Sequence, residues 1–338
     1  MAVELFKIKN LLKLEFGSSF SELELAYHSY GSLNSAGDNV IWVFHALTAN
    51  SDPQEWWPGM IGKGYLFDPE DYYIICVNIV GSCYGSTGPL STDPETGKPY
   101  FRNFPLVSYR DLVQVYDKLR KYLGIKKIHT AIGGSIGGAQ AIEYSIIFPD
   151  LIQHLIVIGS GAAASPWRIA STESQRLAIE ADSGFYENEA HGGKKGLKAA
   201  RAMALLGYRN AEVYNKTQAE ENDEVYKNFK VQSYQIYQGE KLINRFDAYS
   251  YYSMLKMSDT HNVGRGRGGQ LKALTLIKAK TLAIGISTDH LFPVEEQKFL
   301  ANNIEKGTYV ELDSFYGHDG FLIEVEKITE VVRKFYNS

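Results

Sequence analysis

Ser135 stands between two glycines in TAIGGSIGGAQ, Thr130 to Gln140, and Gly133, Ser135 and Gly137 spell G-x-S-x-G. In this motif a serine sits on a sharp strand-to-helix turn with its hydroxyl exposed above a sheet, where it can act as a nucleophile on an acyl carbon. A serine hydroxyl needs a base, the base needs a partner that orients it, and the tetrahedral oxyanion needs backbone donors. In chains built on this turn the order is serine, acid, histidine. Of the eight histidines, His318 lies after the last strand signal, in the turn-like FYGHDG; His290 is its rival. Asp289 closes the run Leu282 to Thr288 at the carboxyl end of a strand, where catalytic groups gather in open α/β sheets, and is the expected orienter. Asp313 and Asp319 compete with it. The oxyanion donors expected are the N–H of Ile136, just after the nucleophile, and that of Leu47, in the loop after an early strand.

These groups need strands and helices to hold them. Asn39 to His45, Tyr72 to Asn78, Leu155 to Gly159, Thr281 to Ile286 and Thr308 to Leu312 are apolar runs of strand length, almost without alternation, as in strands buried on both faces. Helical spacing predicts helices over Ser108 to Leu123, Val294 to Asn303 and Gly320 to Tyr336. Leu11 to Phe16 and Glu22 to Tyr30 alternate across Gly17-Ser18-Ser19, the pattern of an antiparallel hairpin. Between Ser165 and Thr275 only helical segments are read: Ser171 to Ala181, Lys194 to Leu206, Ala219 to Gln238 and Arg245 to Met257. The expected architecture is α/β, a mostly parallel sheet with helices on both faces, formed by residues 1–164 and 276–338, with a helical cap inserted at 165–275. Gly81 to Pro99 is a long Gly/Pro-rich loop of the kind that carries function. GRGRGG, Gly264 to Gly269, matches a dinucleotide fingerprint, but no strand signal leads into it and no clear helix signal follows.

Composition narrows the partners. A net charge of −4 over 338 residues gives no basic footprint for nucleic acid, and 44% hydrophobic content suits a large folded core. No basic start with an apolar run follows the first residue, and no stretch of 18 apolar residues occurs. A soluble, cytoplasmic protein that does not engage a membrane is expected. Two cysteines, Cys76 and Cys83, fit a reducing compartment, and no metal site is expected.

HALT at His45 to Thr48, WWPGMIGKG at Trp56 to Gly64, CYGSTGP at Cys83 to Pro89, GGSIGG at Gly133 to Gly138, SPWRIA at Ser165 to Ala170 and HDGFLIE at His318 to Glu324 stand in an order and spacing that resembles homoserine O-acetyltransferases. The resemblance implies an α/β-hydrolase fold and a homodimer that holds no permanent cofactor. It also implies transfer of an acetyl group from acetyl-CoA, as co-substrate, to the hydroxyl of L-homoserine through an acyl-serine, a step of methionine biosynthesis. The implied triad is Ser135, Asp289 and His318. The implied acceptor contacts are Arg201 and Tyr208 for the carboxylate and Asp319 for the ammonium. The chain departs from the commoner family pattern at Ala49-Asn50-Ser51-Asp52, where many members have Gly-Asp-x-His, and at Ile136 and Ala139, where methionines are frequent. Succinyl transfer, serine as acceptor, an esterase using water, and a silent binding protein on the same scaffold are the alternatives.

Overall fold

A computed structural model describes residues 2–338. The strands are β1 (Glu4–Ile8), β2 (Leu12–Lys13), β3 (Ser19–Phe20), β4 (Leu23–Tyr30), β5 (Val40–Phe44), β6 (Tyr73–Val77), β7 (Ile128–Gly134), β8 (Ile152–Ile158), β9 (Lys280–Ile286) and β10 (Gly307–Leu312). Eight of them form one sheet in the order β1-β4-β6-β5-β7-β8-β9-β10. The pairs β1–β4 and β4–β6 are antiparallel, and every later pair from β6 to β10 is parallel.

Outside the stretch between β8 and β9 the helices are α1 (Pro53–Trp56), α2 (Tyr109–Tyr122) and α3 (Ile136–Ile147), then α10 (Val294–Asn303), α11 (Gly320–Ile323) and α12 (Val325–Tyr336). Between β8 and β9 lie α4 (Pro166–Glu180), α5 (Lys194–Tyr208), α6 (Ala211–Thr217), α7 (Lys230–Ile243), α8 (Ala248–Asp259) and α9 (Gln270–Leu274), with no strand of the sheet among them.

The alternation of β5 shows how both faces are filled. Val40, Trp42 and Phe44 point into one core with Tyr116 of α2 and Tyr144 of α3, while Ile41 and Val43 join the other core with Ile328, Val332 and Phe335 of α12. Those three α12 residues recur at i, i+4 and i+7, one apolar stripe on a helix whose other side is wet. Ser108 starts α2 by a capping box with Asp111, and Pro166 takes the first turn of α4 behind Ser165, whose side chain accepts from the Arg168 N–H.

Four expectations change. Leu11 to Phe16 and Glu22 to Tyr30 do not pair as one hairpin: only Leu12–Lys13 and Ser19–Phe20 form a ladder, and β4 instead pairs with β1. As an edge strand β1 buries only Ile8, and its apolar residues Leu5, Phe6 and Ile8 do not alternate as a half-buried strand would. The helix expected over Ala219 to Gln238 is broken, because Glu220 to Asp223 is acidic and without apolar positions, and α7 begins only at Lys230. Gly320 to Tyr336 is two helices meeting at Glu324, whose ψ of 44° leaves the helical region. A five-residue helix, α9, does follow GRGRGG, but no strand of the sheet leads in, and Arg265 and Arg267 are paired with Glu15 and Glu143. Among the described residues no helix is long and apolar enough to cross a membrane.

Candidate active site

Ser135 sits between β7 and α3 at φ 57°, ψ −130°, a conformation costly for a residue with a Cβ, by about 1–3 kcal/mol. The turn is held from both sides: the Ser135 N–H donates to Ile158 O at 3.0 Å, and Gly138 N–H donates to Ser135 O at 3.0 Å. Close approach explains its glycines. A Cβ on Gly137 would lie 2.2 Å from Phe44 O, and one on Gly133 would lie 2.4 Å from the Gly137 carbonyl carbon. The N-terminus of α3 is thereby pressed against the exit of β5, the segment that leads to Leu47. As the first residue of α3, Ile136 has an N–H with no acceptor one turn back, so it is available to a developing oxyanion beside the positive end of the helix.

His318 Nδ1 and Asp289 Oδ2 are 2.6 Å apart, and both side chains are almost wholly buried. Asp289 is itself fixed, because its Oδ1 accepts from the Leu291 N–H at 2.8 Å and the Phe292 N–H at 2.9 Å. With Nδ1 donating to the carboxylate, the neutral imidazole presents Nε2 as a base, and that atom is buried without a partner in the protein. The rivals lie elsewhere: His290 is exposed and offers its carbonyl to Trp167, and Asp313 is exposed beside Ser287.

Ser135 and His318 line one cavity of about 80 Å³ together with Leu47, Arg201, Tyr208 and Asp319. Six of the eight residues expected from sequence therefore share its wall; Ile136 follows Ser135 at the start of α3, and Asp289 stands behind His318. The rest of the wall is Ala46, Thr48, Phe321 and Leu322, with no second base. Arg201, on α5, has a buried Nε with no partner and its guanidinium 5.5 Å from the Tyr208 ring centroid. Burial pushes the Tyr208 hydroxyl above its ordinary pKa, with Arg201 opposing, so it remains a neutral donor. Asp319 is held at 3.1 Å by the Nε–H of Arg209, the residue after Tyr208.

The end of α5 is clasped to the His318 loop. Gly317 adopts φ 66° where a Cβ would lie 3.0 Å from Tyr208 O, and Asn210 Nδ2 donates to Phe315 O at 2.8 Å. A larger cleft of about 1030 Å³ runs between Pro58–Leu66 and α12, touching the site only through Leu322. Its charged lining, Glu324, Glu326, Glu330, Lys327, Arg333 and Lys334, balances in sign, and it holds none of the reacting groups.

Four contributors escaped the sequence reading. His45 donates from Nδ1 to Ala46 O at 2.8 Å and accepts from the Ile79 N–H at Nε2 at 3.0 Å, so a neutral, doubly bonded ring holds the loop that carries Leu47. Arg245, just before α8, donates to Thr48 O and to the Tyr84 hydroxyl, tying the helical insertion to the same loop. Phe292 packs on His318, and Arg209 pairs with Asp319. Only His45 carried a signal, its place at the end of a buried strand next to the loop expected to supply an oxyanion donor. The departing Ala49–Asp52 segment is turned away from the cavity: Ser51 bonds His28 and Asn78, and Asp52 caps α1 and accepts from Tyr30.

The pattern of an alpha/beta hydrolase fold matches residues 39–325. The chain is 47% identical over 336 residues to a homoserine O-acetyltransferase of Cyclobacterium marinum, covering 99% of this chain and 95% of that protein. The chain belongs to the homoserine O-acetyltransferase family. Among solved structures it is similar to the homoserine O-acetyltransferase of Staphylococcus aureus, at TM-score 0.83 and 27% identity, covering 100% of this chain and 95% of that one. It is also similar to an acetylester hydrolase of Corynebacterium glutamicum, at TM-score 0.87 and 25% identity, covering 100% and 96%. The homoserine O-acetyltransferase scaffold is thus shared with ester hydrolases.

Proposed function

We propose that this enzyme transfers an acetyl group from acetyl-CoA to the hydroxyl of L-homoserine by a ping-pong route, in the cytoplasm, as a step toward methionine. The observation that carries this reading is the pairing, in one small cavity, of a serine–histidine–aspartate set with an unpartnered arginine, Arg201, and a carboxylate, Asp319. An esterase using water needs no such pair, whereas a zwitterionic amino acid does.

His318 Nε2 takes the Ser135 proton as the oxygen attacks the thioester carbonyl, and the tetrahedral oxyanion is stabilised by the Leu47 and Ile136 N–H groups. Collapse breaks the carbon–sulfur bond, and the departing CoA thiolate takes the proton from His318. The cavity of about 80 Å³ is well below the ~300–1,000 Å³ of pockets that enclose a drug-sized ligand, so it suits an acetyl group and a small acceptor, with the carrier left outside. Homoserine then docks its carboxylate on Arg201 and Tyr208 and its ammonium on Asp319. His318 removes its hydroxyl proton, the new ester bond forms at the acetyl carbon, and Ser135 leaves with that proton returned.

Feeding acetyl-CoA with and without homoserine tests the assignment. Thiol release should be a single equivalent without homoserine, with an acetyl mass on the Ser135 peptide, and continuous with it. Continuous release without acceptor would make the protein an esterase or thioesterase; continuous release only with serine, or only from succinyl-CoA, would reassign the substrates.

A further inference from the structure

Asp319 is not a free carboxylate. Its Oδ2 accepts from Arg209 Nε–H at 3.1 Å, with side-chain exposures of 20% for Asp319 and 25% for Arg209. Arg209 is not part of the cavity wall; it approaches Asp319 from behind, with its guanidinium 5.1 Å from the Tyr234 ring centroid on α7. The two cations around Tyr208 are therefore in different states. Arg201 faces the cavity with Nε unpartnered, and Arg209 is already engaged with the one carboxylate in the wall.

We propose that Arg209 is an acceptor-specificity residue: it fixes Asp319 through one oxygen and offsets much of its charge, so that the second substrate is selected by its carboxylate first and its amine second. This rests on the acceptor assignment above. An ammonium placed at Asp319 feels the carboxylate close by and the guanidinium a few ångströms further on, and the two Coulomb contributions are opposite in sign. A carboxylate at Arg201 meets one like charge in the same wall, Asp319, and that charge is the one Arg209 already offsets. Both side chains are largely buried, so the pair is more than a solvated surface bridge; beside Gly317 and Asn210 it helps tie α5 to the His318 loop, and it alone sets the charge that faces the cavity.

The test compares two acceptors on the intact enzyme, homoserine and 4-hydroxybutyrate, which is the same chain without the ammonium. In a ping-pong scheme kcat/KM for the acceptor contains no donor step, so the ratio of the two values cancels any loss of active protein. Arg209→Gln keeps a hydrogen-bond donor for Asp319 and removes the charge; the homoserine to 4-hydroxybutyrate ratio should rise at least about fivefold. Arg209→Lys keeps the charge, and its ratio should stay within about twofold of the parent's. A ratio that is unchanged or lower in Arg209→Gln, with both acceptors falling together, overturns the proposal and leaves Arg209 a purely structural tie. Should the parent enzyme form the acetyl-serine yet transfer to neither acceptor, the acceptor assignment itself fails, and that result is visible before any variant is made.

Discussion

The His318 imidazole lies nearly parallel to the Phe292 ring, with centroids 5.0 Å apart and planes 19° from each other, while the Phe292 N–H donates to Asp289 at 2.9 Å. One residue thus touches the base through its side chain and the orienting acid through its backbone. Phe292→Leu should keep the backbone bond and lose the flat support. The substitution in a fully buried site should lower stability by about 1–2 kcal/mol, read from thermal or denaturant unfolding. Both half-reactions should slow together, because the imidazole that serves both is less well held. Rapid-quench measurement of acetyl-serine formation and of its discharge to homoserine checks this; slowing of one step alone contradicts it.

Asp289 and Asp319 flank the same histidine with different partners. Asp289→Asn should lower acylation and transfer alike, by on the order of 10⁴-fold, because the amide leaves His318 in the wrong tautomer. Asp319→Asn should slow transfer to homoserine far more than acylation by acetyl-CoA. Equal slowing of the acyl burst by the two variants would show that their roles have been exchanged.

Arg201→Lys keeps a positive charge but loses the planar fork. It should cost roughly 1–3 kcal/mol in kcat/KM for homoserine, with the acetyl-enzyme forming at the parent rate. An analogue lacking the carboxylate should be transferred to equally poorly by both proteins. A parent-like kcat/KM for homoserine in Arg201→Lys would move the carboxylate site elsewhere.

Stability should fall in acid for a reason that can be named. Burial holds His45 at a pKa of about 4 and, together with the nearby Arg168 charge, His261 at about 3, against an ordinary 6.5. Since these folded-state values lie below the unfolded one, the unfolded chain binds the extra protons first, and stability is lost as pH falls below 6.5 toward those values. Each buried ring contributes a slope of up to about 1.4 kcal/mol per pH unit in that window. Unfolding midpoints measured from pH 7 to pH 4.5 should decline, and His261→Asn should flatten the decline; an unaltered slope would remove His261 from the account.

Much of the site was legible because its chemistry is local in sequence. Gly133, Ser135 and Gly137 announce a turn whose close contacts admit no other residue, and the parallel strands are apolar throughout because both faces are covered. His318 and Asp289 followed from their place after strand ends. What stayed hidden depends on distant chain segments meeting. β1 carries Leu5, Phe6 and Ile8 without the strict alternation of a half-buried strand, and α7 starts late because an acidic turn precedes it. Arg209, Arg245 and Phe292 carry no motif of their own; each matters through a partner about 30 to 200 residues away, Asp319, Thr48 and His318 respectively.

The clasp between α5 and the His318 loop has a mechanical meaning. Gly317 abuts the last carbonyl of α5, Asn210 grips Phe315, and Arg209 grips Asp319, three ties within a span shorter than one helical turn on either side of the histidine. That helix is therefore a fixed jamb and not a door: swinging it outward would pull the imidazole off Asp289 at the moment a new substrate arrived.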